Sequence, residues 1–306
     1  MAVEFTVLAS GSRGNASLVR SGGTGLLIDL GLGTRGLTKR MEHVGASWPA
    51  LSAALLTHTH GDHVSESNLR ALARERIPLY CHEAHRTYLS RYRGFAELEK
   101  TGIVRTYDDY PFLTPTGIRV EPIPLSHDGG PTYGFRIEAK PSRRERRIAV
   151  GYLADTGCWT SHTAESLTDV DILGVEFNYD DDMQRNSGRA PYLIARNLGN
   201  RGHLSNDQGA GLVAAVLERS SSRMVRHVVL LHLSGECNRP ELAVSAAKAA
   251  IRNAGRSSRV YAAEQWLPHP HLPVTPVRGR LRSASPFPWE REGETPASRP
   301  FQLIAE

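Results

Sequence analysis

Cysteine is scarce in this chain of 306 residues: Cys81, Cys158 and Cys237 are the only three, and no two form a CxxC pair. That excludes a disulfide framework and a thiolate-based structural zinc module, and it fits a reducing compartment. Long apolar runs are missing as well. No stretch approaches the ~20 residues needed to cross a bilayer, and Met1 to Leu8 lack a cationic region followed by an apolar core. The expectation is an unexported, cytoplasmic protein with no membrane partner. Lysine is rare too, so the net charge of +5 is carried mainly by arginine. Arginine suits phosphate-bearing partners, although a basic balance alone identifies none. What the chain has is 40% hydrophobic residues, enough for one large domain or two modest ones, which excludes wholesale disorder.

The densest information lies in His58-Thr59-His60-Gly61-Asp62-His63, an HxHxDH segment with four ligand-type side chains in six residues. Residues 51–57, containing Ala53-Ala54-Leu55-Leu56, read as a buried strand, so the segment begins where a strand ends. Loops at strand ends are where open α/β folds build sites. His58 and His60, two apart, project to the same side of an extended chain and can grip one ion. Asp62 and His63, after a glycine that permits a sharp turn, can face a second ion. The bland alternative is a solvated polar turn, against which the clustering of imidazoles argues.

Strand-like runs recur at 4–9, 16–20 and 25–28, followed by helical spacing over 65–76 and 83–93. In the second half, 148–153, 172–175 and 227–231 read as apolar strands. Ser205-Asn206-Asp207-Gln208 reads as a capping box opening a helix to about residue 218, and a last helix spans 240–253 with Gly255 as its stop. Two βα-rich halves suggest an α/β protein built as a four-layer αββα sandwich, which periodicity alone does not establish. Composition shifts to Pro, Arg, Ser and Glu after Trp266, which divides the chain into a catalytic domain, 1–267, and a weakly ordered tail, 268–306. Arg143-Arg144-Glu145-Arg146-Arg147 reads as a solvated hairpin turn, with a phosphate-contacting patch as the alternative.

Further ligand types follow other apolar strands: His127 after 118–125, Asp155 after 149–154 and His232 after 228–231. Each alone is an ordinary loop or core residue; together with HxHxDH they supply the imidazoles and bridging carboxylate of a two-metal site.

This pattern resembles the metallo-β-lactamase superfamily. Val7-Leu8-Ala9-Ser10-Gly11-Ser12-Arg13-Gly14-Asn15, Leu27-Ile28-Asp29-Leu30-Gly31, Ser126-His127-Asp128, Gly202-His203-Leu204-Ser205-Asn206 and His232-Leu233-Ser234 resemble its YycJ (WalJ) branch of nucleases, over residues 3–266. The resemblance implies that His58, His60 and His127 hold one ion, that Asp62, His63 and His232 hold the other, and that Asp155 bridges. It makes Asp29 a support of the histidine loop. It places His203 at the scissile phosphate or leaving oxygen, with Glu176 orienting it and Asp62 completing the catalytic set. The chain departs from the branch at Phe177-Asn178-Tyr179-Asp180, where relatives are expected to read Ser-Asn-His-Asp, and Asp180, Asp181 and Asp182 read as a solvated acidic loop.

The resulting expectation is a dinuclear metal-dependent phosphodiesterase acting on DNA or RNA, an exonuclease. Zinc is the first choice of metal, with manganese or iron as alternatives. A small-molecule cyclic phosphodiesterase, a thioester or lactam hydrolase, and a non-catalytic nucleic-acid-binding protein are the competing readings. The short interval from Asp155 to His232 leaves no room for the large extra domain of RNA-cleaving relatives.

Overall fold

A computed structural model describes residues 2–141 and 145–276. The first half supplies β1 (Val3–Ala9), β2 (Ala16–Ser21), β3 (Thr24–Ile28), α1 (Thr34–His43), β4 (Leu51–Leu55), α2 (Glu66–Glu75), β5 (Leu79–His82), α3 (His85–Leu89), α4 (Arg93–Lys100) and β6 (Val104–Tyr107). The second supplies β7 (Phe112–Leu113), β8 (Arg119–Leu125), β9 (Thr132–Ala139), β10 (Ile148–Leu153), α5 (Ser161–Ser166), β11 (Ile172–Glu176), α6 (Asp181–Arg185), α7 (Pro191–Leu198), α8 (Asn206–Arg219), β12 (His227–Leu231), α9 (Pro240–Asn253), β13 (Arg259–Ala262) and β14 (His271–Val274). They form two seven-stranded sheets, ordered β14-β1-β2-β3-β4-β5-β6 and β13-β12-β11-β10-β9-β8-β7.

Three apolar cores make the expected αββα layering physical. Phe5, Val19 and Ile28 of the first sheet meet Val120, Phe135 and Val150 of the second. Leu37, Leu69, Leu72 and Phe95 close the outer face of the first sheet, and Leu212, Val216, Ala243 and Ile251 that of the second. The helices obey their sequence signals. Ser205 and Gln208 form the reciprocal capping box of α8.

Several expectations are corrected. One helix over 83–93 is broken into α3 and α4, with Ser90 to Tyr92 between them. The boundary at 267 is too early, because β14 pairs antiparallel with β1, Val274 opposite Val3, and buries Leu272 and Val274. Alternate burial of two apolar residues in a Pro-rich stretch was masked by composition; the rest of the proposed tail, 277–306, lies outside the described residues. Asp180 to Asp182 do not form a plain loop: the Asp180 carboxylate accepts from Met183 N (3.0 Å) and starts α6. Arg143 and Arg144 lie outside the described residues, while Arg146 is not solvated but ion-paired to buried Asp171 at 2.7 Å.

Strand direction positions the site. β3 and β4 are parallel, as are β10, β11 and β12. β8 is antiparallel to β9, which is antiparallel to β10, so β8 runs with β10. The residues following these strands therefore emerge at one edge of the sandwich.

Candidate metal centre

Three of those strand ends carry an unusual backbone. Asp29, Asp155 and His232 have φ of 62°, 58° and 55°, the left-handed region that non-glycine residues seldom enter. Such strain persists only where the surroundings over-determine it, and here the turns bring Asp155 and His232 into the cleft and Asp29 beneath the histidine loop. His232 is pinned further by its N–H, which donates to Ser10 Oγ at 2.7 Å.

The histidine loop is clamped from below. Asp29 Oδ1 accepts from Thr57 N (2.9 Å), and Asn15 N donates to Asp62 O (2.7 Å). A Cβ on Gly31 would lie 1.6 Å from Asp62 O, so only glycine allows this approach.

The structure brings all the sequence-predicted residues to one place. Candidate donor atoms of His58, His60 and His127 lie within 4.8 Å of one another, as do those of Asp62, His63 and His232. Asp155 stands between the groups, with Oδ2 3.0 Å from His63 Nε2 and Oδ1 3.9 Å from His127 Nε2. Four buried imidazoles each have Nδ1 engaged by the protein: His58 with Thr57 Oγ1 (3.0 Å), His63 with Asp29 Oδ2 (2.8 Å), His127 with Gly202 O (2.8 Å) and His232 with Glu176 Oε1 (3.0 Å). Their other nitrogens converge, and His58 Nε2 and His232 Nε2 are buried without a hydrogen bond. Orphaned donor atoms at this density are costly unless something binds them. Imidazole and carboxylate donors with outer-partner support fit divalent cations.

The electrostatics agree. Burial pushes the His58 imidazole well below its ordinary range, helped by neighbouring His63. Burial also opposes charge on His63 and His232, yet Asp155, Asp29 and Asp62 hold His63 well above the imidazole range, and Asp155, Asp62 and Glu176 lift His232 to about 10. Burial would raise Asp155, but the charges of His232 and His63 keep it well below the carboxylate range. These buried carboxylates create a field that calls for positive charge.

His203 stands beside the two groups, its ring 5.1 Å from that of His127 and 5.2 Å from that of His232. Its Nδ1 lies 2.8 Å from Glu176 Oε1, while Glu176 Oε2 accepts from Thr156 N at 2.9 Å. A Cβ on Gly202 would meet Arg196 O and Asn197 O at 2.3 Å, so glycine lets the chain pass closely enough to deliver both its carbonyl to His127 and His203 to the cleft.

Sequence reasoning assigned no role to Asn15, Thr57 or Asn178. Asn15 Nδ2 lies 2.9 Å from His63 Nε2 and 3.2 Å from Asp62 Oδ2, and Asn178 Nδ2 donates to His232 O at 2.8 Å. Their only signal was position, next to residues already singled out. Tyr179, at the point of departure, is buried, its carbonyl accepts from Asn206 N (2.8 Å), and burial pushes its phenol up to about 12.

The sequence profile of the beta-lactamase superfamily domain matches residues 24–233, more than half of the chain. The chain belongs to the beta-lactamase superfamily. Among curated relatives of this superfamily member, it is 29% identical over 250 residues to "Exodeoxyribonuclease YycJ" of Bacillus anthracis, covering 79% of this chain and 87% of that protein. It is 28% identical over 248 residues to "Exodeoxyribonuclease WalJ" of Streptococcus pneumoniae serotype 2, covering 78% and 85%. The metallo-beta-lactamase fold protein YhfI from Bacillus subtilis superposes with a TM-score of 0.62 at 18% identity over 88% of this chain and 99% of that one, a likeness of fold. The chain is a hydrolase of this superfamily. Among the described residues no helix is long and apolar enough to cross a membrane.

Proposed function

We propose that this superfamily hydrolase is a dinuclear metal-dependent phosphodiesterase that cleaves nucleic-acid phosphodiester bonds from strand ends. The observation that carries the reading is the pair His203–Glu176 set beside the three-histidine group of His58, His60 and His127 and the group of Asp62, His63 and His232. The exodeoxyribonuclease names of the two relatives and the arginine-rich charge balance support it.

On this reading His58, His60 and His127 would hold one ion and Asp62, His63 and His232 the second, with Asp155, close to His63 and His127, placed to serve both groups. Two divalent ions supply a water of lowered pKa and neutralise phosphate oxygens. Zinc is the first choice for this donor set, with manganese or iron also suited. Asp62, oriented by the Asn15 amide, accepts a hydrogen bond from the attacking water and sets its direction. Glu176 accepts from His203 Nδ1, which fixes the ring and leaves Nε2–H to donate to the departing oxygen. No covalent enzyme intermediate is required.

The test is hydrolysis of end-labelled single- and double-stranded DNA and RNA by protein reconstituted with zinc or manganese. Progressive loss of terminal nucleotides is expected. Cleavage of cyclic nucleotides alone, with every strand intact, transfers the assignment to small-molecule phosphodiesters; thioester turnover insensitive to His203→Ala removes phosphodiesterase activity altogether.

A further inference from the structure

Among the described residues the exposed aromatic rings are Tyr88, Tyr110, Tyr192 and Trp266. Three of them are tied to loops that touch the metal centre. Tyr88 lies over Gly130, where an added Cβ would meet its ring at 3.6 Å, and on neighbouring Gly129 an added Cβ would meet the rings of His58 and His60 at 2.7 and 3.0 Å. Tyr192 shares a face of α7 with Arg196, one turn on. Arg196 is ion-paired with Asp128, whose Oδ1 is 3.7 Å from His60 Nε2. Trp266 packs with the Arg13 guanidinium, 5.5 Å from its ring centre, two residues before the Asn15 that contacts His63 and Asp62.

These rings are 46%, 76% and 63% exposed, respectively. For Trp266 the exposure is built in: Gln265 accepts from Arg13 N (3.0 Å), donates to Gly14 O (3.0 Å), and its carbonyl takes a hydrogen bond from Arg40 (2.8 Å). A loop held this firmly presents its indole to solvent as a fixed surface. Arginines accompany two of the rings, Arg13 at Trp266 and Arg196, ion-paired with Asp128, one turn from Tyr192; Arg201 donates to His127 O at 3.3 Å.

We propose that this rim takes the reacting strand unpaired, with arginines along its phosphates and bases stacked on Trp266, Tyr192 and Tyr88. The proposal rests on the phosphodiesterase reading and adds the form of the substrate. A base offers its π-face to a protein ring only outside the duplex stack, and aromatic rings interleaved with positive charge are the means of holding single strands without reading sequence. A blunt duplex must therefore fray before its terminal phosphodiester reaches His203.

The test is fluorescence anisotropy of the metal-loaded full chain with three phosphorothioate-protected probes: a single-stranded oligodeoxynucleotide, an abasic strand of equal length, and a blunt duplex. The single strand is expected to bind at least about 10-fold more tightly than either other probe. Trp266→Ala and Tyr192→Ala should each weaken it about 10-fold, within the ~1–3 kcal/mol range of one base–ring stack, while leaving abasic-strand binding unchanged. Both side chains are exposed, and unchanged thermal unfolding confirms that each variant folds. Equal binding of abasic and base-bearing strands by the parent protein, or variants indistinguishable from it, overturns the proposal. If strands are cleaved and the variants bind normally, stacking alone is lost; if no strand is cleaved in any form, the phosphodiesterase reading is what fails.

Discussion

The carboxylate of Asp29 lies beneath the histidine loop with Oδ2 2.8 Å from His63 Nδ1, both side chains being wholly buried. Asp29 therefore fixes the His63 ring with Nε2 toward the cleft, and its other oxygen anchors Thr57 N where β4 ends. Asp29→Ala removes both contacts. Metal affinity is expected to fall about 10- to 100-fold, read by competition with a chromogenic chelator; unchanged affinity would show that His63 needs no orienting partner.

His203→Ala leaves the proposed ligand groups intact while removing the proton donor. The expected result is a loss of kcat of about 100- to 10,000-fold with two ions still bound per chain, since that is the usual span for a positioned acid. Elemental analysis beside steady-state kinetics checks it. A variant that loses both activity and metal would make His203 a structural support instead.

Gly31→Ala places a methyl group where Asp62 O now sits, 1.6 Å away. The histidine loop must lift or the strand end must shift, at an expected cost of about 1–3 kcal/mol and several degrees in Tm. Gly33→Ala is the control, because a Cβ there meets nothing within 4 Å and φ is −65°. Equal thermal stability of the two variants would contradict the tight packing inferred here.

His85, away from the proposed ligands, carries a pH signature. Its Nδ1 accepts from His82 N (3.2 Å), and its Nε2 donates to Pro131 O (2.8 Å), an arrangement only the neutral ring satisfies. Burial is the main reason its pKa falls from 6.5 to about 4. Between those values the unfolded chain binds more protons, so stability is retained above about pH 6.5 and lost as pH falls toward 4. From pH 7 to pH 5 this group should cost about 2 kcal/mol. Urea unfolding of the parent and His85→Gln at both pH values isolates the effect; parallel losses in the two proteins would refute it.

Much of the site was legible because its donors are of rare type and stand directly after apolar runs, as His127, Asp155 and His232 do. β9 was missed although its sequence alternates, with Tyr133, Phe135, Ile137 and Ala139 in the core between the sheets; its other face is buried too, and Arg136 and Glu138 pair there at 2.8 Å. Helix α1 was missed because only Leu37 and Met41 of its ten residues are buried, too few to print a stripe. β14 was hidden by its Pro-rich surroundings, since pairing with β1 depends on a partner more than 260 residues away.

By itself, the sequence determined which side chains could bind a cation, that they follow strands, and that both halves alternate strand and helix, because residue type and local periodicity are properties of neighbouring positions. The tertiary structure decided that Asp29 supports His63, that Glu176 serves both His203 and His232, and that Asn15 joins the centre at all. Those relations join residues 27 to 56 positions apart. They exist only because two sheets pack face to face with their parallel strands ending at one edge, a condition that chain periodicity cannot encode.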